Sequence, residues 1–274
     1  MYQGSGQAPA KVTINTLLGM KQAGEKFSCL TAYDVSFAQV LDQAGIEVVL
    51  VGDSLGMVIQ GHETTVPVTM DDMCYHAACV ANGIQRALLM VDMPFMSYTT
   101  PGQVISNATR LMQEGGAHMV KLEGGSSQLP VVEALAMNGV PVCAHIGLQP
   151  QSVHKLGGYR VQGREKADAQ SMLMDAERLQ EAGADMILLE CVPDSLANEI
   201  TSNVQVPVIG IGAGGTTDAQ VLVLQDILGI TPGKPPKFSR NFMQGADSIS
   251  EAVKRFDQAV KDGSFPAREH TFFS

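Results

Sequence analysis

Three times along the chain, a stretch with helical spacing ends at glycine, passes into a short apolar run and closes on an acid. The segments are QAGIEVVLVGD (43–53), QEGGAHMVKLE (113–123) and QEAGADMILLE (180–190). Glycine suits the end of a helix because it enters the left-handed region without a Cβ clash. An unbroken apolar run fits a strand covered on both faces, as in a parallel sheet. Continuing this reading gives strands at 27–33, 48–53, 87–92, 118–123, 141–146, 186–191 and 207–212, with the weakest signal at 226–230. Apolar residues at i, i+3, i+4 and i+7 predict helices through 37–44, 104–112 and 172–183. Pro101 suits a first helical turn. A further helical segment at 249–260 is expected to pack outside the sheet or on a neighbouring subunit. Eight strands alternating with helices predict a (β/α)8 barrel rather than an open doubly wound sheet.

The length of 274 residues matches one such barrel, since about 250 residues is typical. Residues 1–10 are expected to form a flexible arm, and 11–274 a single barrel domain with a helical tail. No apolar run approaches the roughly 20 residues of a membrane span, and the first residues lack the charged and apolar regions of a secretory signal. A formal charge of −10 with scattered Lys and Arg argues against nucleic acid. The five cysteines are an odd number without a CxxC pair, which suggests free thiols and a reducing cytoplasm.

Barrels of this type place their chemistry at the carboxyl ends of the strands. Asp53, Asp92, Glu123, His145 and Glu190 stand there, with Ser54 beside Asp53. Lys121 shares a face with Glu123 because side chains alternate along a strand. Converging carboxylates repel one another, and a hard divalent cation relieves the conflict; oxygen ligands favour Mg²⁺. Each residue also has a plainer reading. Asp53 and Asp92 could cap the turns that follow them, Lys121 could pair with Glu123, and His145 could be a satisfied polar group. The run Gly210–Gly215 invites comparison with a phosphate loop, but tight packing explains it more simply, because no acid follows at dinucleotide-fold spacing.

Longer motifs narrow the picture. VGDSLGM (51–57), QGHETTVPVTMDDMCYH (60–76), DMPFMSY (92–98), VKLEGG (120–125), HIGLQPQS (145–152), GGYRVQGR (157–164), LECVP (189–193), PVIGIGAG (207–214) and PKF (236–238) occur in order. Together they resemble the ketopantoate hydroxymethyltransferase family from about residue 12 to 270. The resemblance implies a (β/α)8 barrel of the phosphoenolpyruvate/pyruvate type. It also implies transfer of a one-carbon unit from 5,10-methylenetetrahydrofolate to 3-methyl-2-oxobutanoate, through a metal-stabilised enolate. Carried over by motif, Asp53, Asp92 and Glu123 (directly or through water) become the metal site for Mg²⁺. Asp53, Ser54, Asp92, Lys121 and His145 become substrate contacts, and Glu190 the proton acceptor. The resemblance further implies a cytoplasmic homo-oligomer, a decamer. A metal-dependent 2-oxo acid lyase or aldolase on the same barrel is the competing reading.

Overall fold

The computed structural model describes residues 10–231 and 233–274. Apart from Ala10, the arm expected over 1–10 lies outside them. Eight parallel strands close into a barrel: β1 (Phe27–Thr31), β2 (Val48–Val51), β3 (Leu88–Asp92), β4 (Met119–Glu123), β5 (Val142–Gly147), β6 (Met186–Glu190), β7 (Val208–Ile211) and β8 (Ala219–Leu222). The first seven fall on the segments read from the apolar runs. Nearly every strand residue is buried, because side chains face either the barrel interior or the surrounding helices. The predicted helices are also present, at Val35–Ala44, Pro101–Gln113 and Lys166–Glu181. Asp34 starts the first of these by accepting from the Ser36 and Phe37 amides, and Gly45 ends it with φ 100°.

The eighth strand is a correction. Residues 226–230 do not form a strand: Leu224–Leu228 is a short helix, and its Leu224, Ile227 and Leu228 are buried at i, i+3 and i+4. The closing strand lies earlier, pairing Ala219–Leu222 with Phe27–Leu30 of β1. Gln220 interrupts its apolar pattern. The side-chain amide of this residue donates to the Gly214 carbonyl (2.9 Å) and the Thr217 hydroxyl (2.8 Å), so a polar group sits buried without loss. Packing accounts for the neighbouring glycines: a side chain at Gly214 would overlap the Asp194 carboxylate.

Helix Ile249–Lys261 takes the eighth outer position, against β1 and helix Val35–Ala44. Phe256 on its inner face meets Phe242 and Phe265 edge-on, with ring centroids 5.5 and 6.0 Å away. Strand register then sets the inner surface. Asp92 is level with Lys121, Glu123 with His145, and Gly147 with Glu190. Chemistry-bearing residues thus collect at the carboxyl end of the barrel because neighbouring strands end there in step.

Candidate active site

A cavity of about 570 Å³ opens at that end. Asp53, Ser54, Asp92, Lys121, Glu123, His145 and Glu190 all line it, so every site residue read from the sequence is brought to one place. Asp53 and Ser54 come from the turn after β2, and the others from the ends of β3 to β6.

Asp92 organises one side. Its Oδ2 accepts from the Asp53 amide (3.0 Å), and its Oδ1 lies 2.5 Å from Lys121 Nζ. Lys121 therefore pairs with Asp92 rather than with Glu123. Neither aspartate behaves as a cap. The turn Leu55–Val58 has no side-chain cap bond, and the Asp53 carboxylate instead accepts from Gln151 Nε2 at 2.9 Å. Ser54 is fixed from behind by Tyr33, hydroxyl to hydroxyl at 2.8 Å, and His76 Nδ1 lies 2.7 Å from the Tyr33 carbonyl.

The opposite side is a line of acid, imidazole and acid. His145 Nδ1 is 3.6 Å from Glu123 Oε1, and its Nε2 is 3.4 Å from Glu190 Oε2. Among the described residues, neither ring nitrogen makes a hydrogen bond of good geometry, although the residue is only 2% exposed. Burial, reinforced by Lys121, holds this imidazole well below its ordinary pKa, so the ring is neutral.

The carboxyls are perturbed in the other direction. Burial and then the Asp92 charge push Asp53 up to about 7. Burial, and after it Asp53, raises Glu123 well above the usual carboxylate range. Glu190 is pushed up to about 8 by burial; Lys121 offsets part of this, while Asp53 and Asp92 add to it. For Lys121, burial acts to lower the ammonium, but the Asp92, Glu123 and Asp53 charges outweigh it and the pKa ends above its ordinary value. A permanently protonated lysine is a poor Schiff-base nucleophile.

Four carboxyl groups thus face one ammonium and a neutral ring in a buried mouth. That donor set fits a hard cation. Among the described residues, no three His, Cys, Asp or Glu side chains converge on one ligand point. The structure instead offers the adjacent pair Asp53 and Asp92, with Glu123 lining the same cavity. Two carboxylates completed by water and substrate oxygens is the usual manner of Mg²⁺, and the absence of a Cys and His set disfavours zinc.

Gln151 was not singled out from the sequence, yet it ties the halves together. Its Nε2 donates to Asp53 and to the Met93 carbonyl (both 2.9 Å), and its backbone amide donates to Glu123 Oε2 (3.1 Å). The Tyr98 hydroxyl donates to its Oε1 at 2.6 Å, which fixes the orientation of the amide. The only signal was that Gln151 and Tyr98 fall inside the recognised motifs HIGLQPQS and DMPFMSY.

Comparison with known proteins follows the same line. The chain is 58% identical over 273 residues to a 3-methyl-2-oxobutanoate hydroxymethyltransferase of Alkalilimnicola ehrlichii, covering 99% of each. It is 59% identical to the enzyme of that name from Marinobacter nauticus, covering 95% of this chain and 98% of the relative. Among solved structures, phosphonopyruvate hydrolase in complex with oxalate and Mg²⁺ superposes with a TM-score of 0.59 at 14% identity, covering 94% of this chain and 93% of the other. The phosphoenolpyruvate phosphomutase of Streptomyces platensis gives 0.59 at 15% identity, covering 91% and 88%. These structural likenesses speak for the barrel alone. The sequence model of ketopantoate hydroxymethyltransferase matches residues 11–268, and with relatives so similar over the full length the chain belongs to that family.

Proposed function

We propose that the chain catalyses the reaction its relatives are named for, adding a hydroxymethyl group to C3 of 3-methyl-2-oxobutanoate, with 5,10-methylenetetrahydrofolate as the donor. The observation that carries this reading is the placement of the Asp53–Asp92 pair and Lys121 across one cavity from Glu190.

Asp53 and Asp92 would hold Mg²⁺, with Glu123 reaching it through water. When bound, such a cation draws electron density from a 2-oxo acid and makes the C3 hydrogen acidic. Lys121 supplies a fixed positive charge to the anionic oxygen that develops on the substrate. Ser54, oriented by Tyr33, and His145 complete the contacts to the 2-oxo acid. Glu190 takes the C3 proton; a carboxyl raised toward neutral pH is a stronger base than an ordinary one. The neutral His145 sits between Glu190 and Glu123 and keeps two acids from facing each other directly.

Cytoplasmic residence accords with five free thiols, and among the described residues no helix is long and apolar enough to cross a membrane. Assembly into a homodecamer accords with apolar side chains left exposed, Tyr75, Met96 and Met137 among them.

The test is exchange of the C3 proton of 3-methyl-2-oxobutanoate in D₂O, followed by NMR with Mg²⁺ and then with EDTA. Mg²⁺-dependent exchange, followed by product formation once 5,10-methylenetetrahydrofolate is added, is the expected result. Exchange that persists unchanged in EDTA would remove the cation from the reading. Exchange without transfer of the folate one-carbon unit to C3 would favour the lyase alternative.

A further inference from the structure

One buried acid of the cavity takes no part in the arrangement of Asp53, Asp92, Glu123 and Glu190. Asp226 lies on the short helix Leu224–Leu228 that follows β8, and it is only 8% exposed. It lines the same cavity as the metal-site acids, and so do Phe238 and Phe272, whose rings meet near Gly212 just past β7. Its Oδ1 accepts from the Thr231 hydroxyl at 2.6 Å; among the described residues, no protein group donates to its Oδ2. Lys237, which also lines the cavity, is turned to the Thr271 carbonyl, 2.6 Å from Nζ, and lies over the Phe272 ring. Burial raises the Asp226 carboxyl and the Thr231 hydroxyl draws it partly back.

A carboxylate largely withdrawn from water is costly unless donors reach it. The protein supplies one such donor, so the remaining acceptor capacity is left for a ligand. That ligand should be flat, to lie along Phe238 and Phe272, and should present neighbouring N–H groups along one edge. The pterin of a reduced folate has this form: its 2-amino group and the adjacent ring N–H point the same way, matching the two oxygens of a carboxylate. The 2-oxo acid offers only oxygens and has no use for such a group.

We propose that Asp226 anchors the pterin of the folate co-substrate by accepting from its 2-amino and ring N–H groups. The assignment rests on the proposed hydroxymethyl transfer, and it places the folate head on the β8 side of the mouth. The 2-oxo acid keeps the side formed by β2 to β6.

The test uses the full chain with Mg²⁺ and three variants, Asp226→Ala, Asp226→Asn and Asp226→Glu. Tetrahydrofolate binding is measured by calorimetry, and KM is determined for each substrate separately. Loss of a pair of hydrogen bonds to a charged acceptor should weaken tetrahydrofolate binding in the Ala and Asn variants by about 10- to 100-fold. KM for 3-methyl-2-oxobutanoate should stay close to wild type, and the Glu variant should recover part of the loss. Asp226→Asn nearly preserves volume, so it reports on charge even if Asp226→Ala folds poorly. Unchanged tetrahydrofolate binding in the Asn variant overturns the assignment, as does an equal rise in both KM values, which marks a purely structural role. If the wild-type chain binds no tetrahydrofolate, the transfer reading fails and the anchor fails with it.

Discussion

Glu190 differs from the other acids of the mouth in its surroundings. Asp53, Asp92 and Glu123 each accept a hydrogen bond or pair with Lys121, whereas the contact of Glu190 is an imidazole 3.4 Å away. Its side chain is also the more open, at 14% exposure against 2% for Glu123. A carboxylate without fixed donors stays basic, which a proton acceptor requires. Glu190→Gln should therefore slow C3 proton exchange by about 10²- to 10⁴-fold while calorimetry still finds Mg²⁺ and the 2-oxo acid bound. Exchange at the wild-type rate would take the role away from Glu190. The acids were legible in the sequence because each closes an apolar strand, a position the barrel turns into its mouth. Gln151 was not, since an amide carries no acid–base signature and its reach to Asp53 and Glu123 arises only when the turn Pro150–Ser152 folds over the site.

Among the elements, apolar runs, three of them bounded by glycine and acid, located seven strands because those strands are covered on both faces. The eighth was misplaced for a reason of the same kind. β8 carries a polar residue whose partners lie in the preceding loop, while the segment after it is apolar but only one helical turn long. So short a helix shows too little periodicity to be told from a strand. Helix Ile249–Lys261 was legible as a helix, but not its place; only closure of the ring leaves an open position between β1 and the helices on either side. Phe256 secures that position, fully buried between Phe242 and Phe265. Phe256→Ala should cost about 3–5 kcal/mol in urea unfolding, with activity of the folded fraction largely retained. A cost well below this range would mean that the helix contributes little to the barrel.

For the molecule as a whole, the acidic mouth is a source of instability in the absence of a cation. Folding lifts Asp53 from 3.8 to about 7 and Glu190 from 4.5 to about 8. A carboxyl raised by folding stabilises the fold only while protonated. The contribution is complete below the unfolded value and is lost as pH rises through the folded one. In EDTA, Tm should therefore fall as pH is raised from roughly 4 to 8. Mg²⁺ should restore more at the upper end than at the lower, because a cation among ionised carboxylates replaces the missing protons. Scanning calorimetry across that range checks both statements. An Mg²⁺ shift of equal size at both ends would separate the cation from these two groups.

The seam between β1 and β8 joins strands from near the two ends of the chain. During synthesis, the amide and carbonyl groups along β1 have no partner on that side until residues 219–222 leave the ribosome. Every intermediate length is an open sheet with two unsatisfied edges, the kind of surface that recruits other chains. The hazard is one of timing: it lasts as long as translation of the intervening helices takes, and no improvement in the packing of any one strand shortens it.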